Sequence, residues 1–77
     1  MDKTSREELF MTEKQQKIYN IIKKYIEKHQ YAPTIREIRD ESGLKSVSTI
    51  EEYLIILKEK GYINYINNKS RTITIIK

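Results

Sequence analysis

Few side chains in this sequence of 77 residues could do acid–base or nucleophilic chemistry, and those few are poorly placed for it. There is no cysteine, and the single histidine, His29, stands at the end of a predicted helix. The carboxylate pairs Asp40–Glu41 and Glu51–Glu52 are neighbours in the chain, so on a helix their side chains point in different directions. The sequence therefore predicts a protein that is not an enzyme and that holds no metal or cofactor.

The basic side chains favour a polyanionic partner instead. Lys and Arg number 15 against 11 Asp and Glu, which gives a net charge of +4. Positive charge collects in residues 11–33 and in residues 62–77, where Lys69, Arg71 and Lys77 are accompanied by no acid. This is a weak signal on its own, because lysines also keep exposed helix faces soluble. No apolar run approaches the ~20 residues of a membrane span and no signal peptide opens the chain, so we expect a soluble cytoplasmic protein.

Start and stop signals in the sequence predict three helices. A Thr followed three residues later by Gln or Glu forms a capping box, which begins a helix. A Pro or Gly shortly after an apolar stripe ends one. These signals place the first helix from Thr12 to about His29, the second from Thr34 to Gly43, and the third from Ser46 to Lys60.

The remainder of the chain has the composition of a β-hairpin. Residues 62–66 and 72–76 are rich in Ile, Tyr and Thr, and they flank the polar residues 67–71, which we call the wing. The predicted fold is mostly α with a small β-hairpin, a three-helix winged helix-turn-helix over residues 11–77. Residues 1–10 are predicted to be an N-terminal extension, either flexible or a single helical turn.

The third predicted helix is amphipathic and leaves one side without a partner. Its inner side carries Ile50, Tyr53, Leu54 and Leu57, and its outer face carries Ser48, Glu51, Glu52, Ile55 and Glu59. A helix-turn-helix whose second helix has a free polar face suits the major groove of DNA. The alternative is an ordinary small α+β domain whose third helix faces water.

Four segments of the sequence resemble the N-terminal DNA-binding domain of LexA repressors. They are MTEKQQKI at 11–18, YAPTIREI at 31–38, GLKSVSTI at 43–50 and KGYI at 60–63, in the family's order and spacing. The resemblance implies a repressor that binds operator DNA as a homodimer on symmetric half-sites. The positions that read bases in this family map onto Ser46, Ser48, Thr49, Glu51 and Glu52, and the family's wing maps onto residues 67–71.

The chemistry of these positions agrees with a role at duplex DNA. Hydroxyl groups can donate to or accept from base edges, and carboxylates can accept from the amino group of cytosine. The alternative for the acids is local, because Ser48 and Glu51 could form a capping box. Two acids in the groove would repel the DNA phosphates, so flanking cations must supply the attraction to the DNA backbone. The predicted backbone contacts are Lys45, Lys69, Ser70 and Arg71, with Arg36 and Lys14 as further candidates.

The sequence departs from the family pattern at four positions. Gln30 stands where the family usually has a Gly after the first helix. Arg39 stands where the family commonly has a small residue, so the long side chain of Arg39 must extend to solvent. Ser42 replaces an apolar residue, and Ile55 falls where Lys is frequent. The self-cleaving domain into which LexA repressors continue has no counterpart in these residues, so autocleavage is not expected.

Two other classes of function remain open from the sequence. A winged-helix protein-interaction module would use the surface formed by Glu51, Glu52, Ile55 and Ile56 to bind a protein partner. Single-stranded nucleic-acid binding would need an aromatic stacking platform. We expect four of the tyrosines to be at least partly buried: Tyr19, Tyr25, Tyr31 and Tyr53. That would leave chiefly Tyr62 or Tyr65 to stack with bases.

Overall fold

Three helices and a two-stranded antiparallel sheet make up the computed structural model, which describes residues 11–77. The helices are α1 (Glu13–His29), α2 (Ile35–Ser42) and α3 (Val47–Glu59), and the strands are β1 (Ile63–Asn64) and β2 (Thr74–Ile75). This order confirms the predicted winged helix-turn-helix. The extension predicted for residues 1–10 lies outside the described residues. None of the helices in the described range is long and apolar enough to cross a bilayer.

Both predicted capping boxes form. At the start of α1, Gln15 N donates to Thr12 Oγ1 at 3.2 Å while Thr12 N donates to Gln15 Oε1 at 3.0 Å. At the start of α2, Glu37 N donates to Thr34 Oγ1 at 3.1 Å while Thr34 N donates to Glu37 Oε1 at 2.8 Å. Each box satisfies amide groups that have no partner inside the helix, which is why these helices begin where the sequence predicts.

Three of the departures from the family pattern are accommodated by local contacts. Gln30 adopts the left-handed conformation expected of the usual Gly, with φ of 68°, and its side-chain amide donates to Glu27 O at 2.9 Å. That bond offsets part of the cost of a left-handed non-glycine residue, about 1–2 kcal/mol. Ser42 is buried, and its hydroxyl donates to Arg39 O at 2.9 Å and accepts from Leu44 N at 3.1 Å. Arg39 is partly exposed and pairs with Asp40 at 3.3 Å.

The hydrophobic core joins all three helices to the hairpin. α1 packs against both α2 and α3, and α3 packs against β1. Aliphatic side chains fill most of the shared interior, with Tyr19 at its edge. Its members are Ile18, Tyr19, Ile22, Ala32, Ile38, Ile50, Leu54, Leu57, Ile63 and Ile73. Because α3 contributes three of these residues, its inner face is fixed and its outer face is turned away from the protein.

The strands are shorter than the predicted segments 62–66 and 72–76. Ile63 pairs with Ile75 and Asn64 with Thr74 in an antiparallel register. Beyond these two pairs, side chains form hydrogen bonds with the backbone amides. Asn64 Oδ1 accepts from Tyr65 N at 2.9 Å, and Thr72 Oγ1 accepts from Ile66 N at 3.0 Å. These local bonds replace the ladder bonds that a longer hairpin would have made.

Candidate nucleic-acid interface

The turn between α2 and α3 presents the start of α3 to solvent. Gly43 ends α2 in the left-handed conformation, with φ of 80°, and Lys45 and Ser46 are exposed. Ser46 is the N-cap of α3, as predicted, but its hydroxyl makes no capping hydrogen bond. The N–H groups in the first turn of α3 are therefore not capped by Ser46, and the positive end of the helix dipole faces solvent. The capping box considered at Ser48 and Glu51 is wrong, because Ser48 lies inside the helix.

The outer face of α3 is open along its length. All five of its predicted members are exposed, and the side chain of Ile55 keeps 48% of its surface accessible. Thr49 is half-buried, at the boundary between the outer face and the core. No other part of the described chain packs over Ser48 or Glu52, so these side chains are accessible to a partner.

A groove of about 630 Å³ runs between α3 and the wing. Its walls are the first turn of α2, the side chains of Glu51, Leu54 and Ile55, and residues 65–73. The structure therefore brings Glu51 together with Lys69, Ser70 and Arg71. The remaining predicted backbone-contacting cations, Lys14, Arg36 and Lys45, are exposed but do not line this groove.

The wing is a compact polar turn. Lys69 N donates to Ile66 O at 3.2 Å, and the Thr72 hydroxyl donates to Lys69 O at 3.0 Å. Asn68 and Arg71 take left-handed backbone conformations, with φ of 64° and 59°. This folding leaves the side chains of Lys69 and Ser70 exposed at the tip.

Arg71 differs from the other predicted backbone contacts because its guanidinium has partners within the protein. Nη1 and Nη2 donate to the two carboxylate oxygens of Glu37 at 3.1 and 3.0 Å. Nη1 also donates to Ala32 O at 3.0 Å, and the guanidinium lies 4.8 Å from the centre of the Tyr31 ring. The sequence offered no signal for these contacts, since Glu37 is 34 residues away along the chain.

The Glu37 carboxylate is held in its charged form by two groups. The Thr34 amide of the capping box and the Arg71 guanidinium lower the pKa of Glu37 from its ordinary 4.5 to about 2. The same pair raises the pKa of Arg71. Charge-assisted bidentate bonds of this kind favour both ionised partners.

The depressed pKa of Glu37 makes part of the stability depend on pH. A carboxyl whose folded-state pKa lies below its unfolded value stabilises the fold above about pH 4.5, and this contribution is lost as pH falls toward 2. Because E37Q lacks the contribution at every pH, its melting temperature should lie below that of the wild type at neutral pH and approach it in acid. Thermal melts by circular dichroism at about pH 7, 4.5, 3 and 2 measure the difference. A difference in melting temperature between wild type and E37Q that stays constant down to the lowest pH would contradict a stabilising role of the ionised Glu37.

Lys58 and Tyr65 connect the end of α3 to the base of the wing. Lys58 Nζ donates to Tyr65 O at 3.2 Å and lies 4.6 Å from the centre of the Tyr65 ring. Burial raises the pKa of Tyr65, and the negative charges of Glu51 and Glu59 raise it further. The wing is thus attached to α3 on one side and to the start of α2 on the other.

The burial of the tyrosines bears on whether they could stack with the bases of single-stranded nucleic acid. Tyr62 and Tyr65 are half-buried. Tyr31, expected to be at least partly buried, keeps 49% of its surface accessible. Its ring nevertheless contacts Tyr25 and His29, with centroids 5.8 and 5.5 Å away, as well as Arg71. Within residues 11–77 no group of three or more His, Asp or Glu side chains is placed to hold a metal ion.

Comparison with known proteins agrees with this architecture. The family profile of the LexA DNA binding domain matches residues 9–72. The LexA repressor of Desulfatibacillum aliphaticivorans is 45% identical over 67 residues, which cover 87% of this chain and 33% of that protein. The LexA repressor of Bifidobacterium adolescentis is 39% identical over 70 residues, 91% of this chain and 27% of that protein.

A third relative, the LexA repressor of Clostridium kluyveri, is 45% identical over 64 residues, 83% of this chain and 32% of that protein. The chain thus spans about a third of the length of these relatives. With most of its residues inside the family match and the winged helix-turn-helix in place, the chain belongs to the LexA DNA-binding domain family.

Proposed function

We propose that this chain binds duplex DNA sequence-specifically as a transcriptional repressor. The observation that carries the proposal is the open outer face of α3 beside a groove walled by the wing. An α-helix fits the major groove of B-DNA, where each base pair presents a distinct pattern of donors and acceptors. Membership of a DNA-binding family supports the same conclusion.

The proposed base-reading residues lie at the beginning and on the outer face of α3. Ser46 and Ser48 are exposed and carry hydroxyl groups that can donate or accept, and Thr49, half-buried at the margin of the face, carries a methyl group that can contact a thymine methyl. Glu51 and Glu52 accept from cytosine amino groups. Side chains in the first turns of a recognition helix are the ones that reach base edges, which supports this assignment.

The proposed contacts to the DNA backbone come from exposed residues on several elements. Lys45 precedes α3, Lys69 and Ser70 form the tip of the wing, and Lys14 and Arg36 lie near the starts of α1 and α2. Their charges compensate for the two acids that α3 brings into the groove, and phosphate contacts fix the register of the helix. One chain covers a half-site, so two copies are proposed to occupy a symmetric operator.

Selection from a random duplex library with the purified chain, at low and at moderate salt, tests this function. We expect recovery of one symmetric motif, with a slope of log affinity against log salt of about −0.9 for each phosphate contact. Sequences recovered without a common motif, bound equally well as unrelated duplex, would contradict sequence-specific binding.

The same groove supports one other candidate, a protein-interaction surface. Ile55 and Ile66 both line it, and 48% and 58% of their respective surfaces are accessible. Exposed apolar side chains in one groove are a feature of protein-binding sites. A chain that bound no motif but formed a stoichiometric complex with a protein partner, lost in I55K, would favour this candidate over DNA binding.

A further inference from the structure

The contacts of Arg71 fasten the last residue of the wing to the first turn of α2. Three donor–acceptor pairs at 3.0–3.1 Å join its guanidinium to Glu37 and to the Ala32 carbonyl, and the Tyr25 hydroxyl lies at 3.4 Å. The Tyr31 ring covers one face of the guanidinium. These groups approach from α1, from the connection to α2 and from α2 itself, so they fix the position of Arg71 in three directions.

A guanidinium bound in this way is poorly available to a DNA phosphate. The Arg71 side chain is 40% accessible, but a phosphate that reached it would lie beside the Glu37 carboxylate, and it could take the donors bonded to Glu37 only by displacing that carboxylate. Displacement would also free the Ala32 carbonyl, whose residue is buried. The left-handed backbone of Arg71 is unfavourable for a non-glycine residue, and the contacts of its side chain offset that cost only while they are made.

Lys69, the other cation of the wing, lies in a different environment from Arg71. Lys69 is exposed, lines the groove beside α3, and has a backbone held in place by Thr72. Its position along the duplex depends on how the wing is held against the body of the protein. That attachment is made by Arg71 on the α2 side and by Lys58 and Tyr65 on the α3 side.

We infer that Arg71 is a positioning residue, whose ion pair with Glu37 holds the wing where Lys69 and Ser70 reach the DNA backbone. The inference rests on the proposed function and replaces the direct phosphate contact expected of Arg71 from the sequence. It also assigns Glu37, an acid that would repel DNA, a role in DNA binding.

Glu37→Gln separates positioning from direct contact. Gln can fill the same place in a capping box, as Gln15 does at Thr12, so the variant keeps the start of α2 and weakens only the pair with Arg71. Because the variant removes a negative charge, direct contact by Arg71 predicts unchanged or tighter binding. Positioning predicts about 5–10-fold weaker binding to the selected duplex, the scale of one charge-assisted pair.

Four further variants, one of them a matched control, complete the test by filter binding or fluorescence anisotropy across a salt series. R71A should lose about 10-fold in affinity with its salt slope unchanged, and the E37Q/R71A double variant should lose no more than R71A. R71K should behave like R71A, because an ammonium cannot reproduce the bidentate fork. The matched control K69A removes the same charge two residues away, and its slope should fall by about 0.9.

Two results would overturn the inference while leaving the proposed function intact. One is wild-type affinity in E37Q together with retained binding in R71K. The other is a salt slope reduced in R71A as much as in K69A. Failure of the wild-type chain to prefer any duplex would instead overturn the proposed function. Circular dichroism of each variant establishes that it is folded before its binding is compared.

Discussion

Replacing Leu57 with alanine is expected to lower the free energy of unfolding by about 2–5 kcal/mol, the cost of a large-to-small change in a closed core. Leu57 is fully buried on the inner face of α3, in the cluster that joins the helices to the hairpin. A chain of 77 residues has a total stability of only roughly 4–12 kcal/mol. The variant should therefore lose a large fraction of its stability and unfold at a lower urea concentration, and urea titration followed by circular dichroism measures the change.

Ile55→Ala is the matched control for Leu57→Ala. It removes a branched aliphatic side chain from the same helix, but from the outer face, where nearly half of the side chain is accessible. Its free energy of unfolding should change by less than about 0.5 kcal/mol. Comparable losses in the two variants would show that the inner and outer faces of α3 are wrongly assigned.

The helices could be predicted from the sequence because their signals are local. A hydroxyl three residues before Gln15 or Glu37 forms a bond that the neighbouring residues alone determine, and a residue such as Gly43 acts through its own backbone. The inner face of α3 followed from the helical period in the same way. These interactions span only a few residues, so the sequence around each position is sufficient to specify them.

The arrangement of the wing could not be predicted, because its determinants are distant or compete with a regular pattern. The alternation of Ile, Tyr and Thr indicates longer strands, but the side chains of Asn64 and Thr72 bond to backbone groups instead. For Arg71, the sequence indicates only that the side chain is positively charged. Whether that charge meets a phosphate or the Glu37 carboxylate depends on how the hairpin packs against α2, which is a tertiary contact.

Glu52→Ala is expected to change specificity and non-specific affinity in opposite directions. If Glu52 accepts from a cytosine amino group, its loss should reduce discrimination at that one base pair by about 1–3 kcal/mol. The loss of an acid from the DNA-facing surface should at the same time raise the affinity for unrelated duplex. Glu52 is exposed on α3, so the substitution should leave the fold unchanged. Affinities for the selected operator, each of its single-base variants and an unrelated duplex measure both effects.

Glu59→Ala distinguishes base reading from general repulsion. Glu59 is exposed on the same helix and carries the same charge, but it lies two turns nearer the C-terminal end, away from the residues that reach base edges. Its removal should tighten binding to every duplex about equally and leave the base preference unchanged. If both variants tightened binding without altering preference at any position, the acids of α3 would act only through their charge. Recognition would then have to come from the hydroxyl groups of Ser46, Ser48 and Thr49.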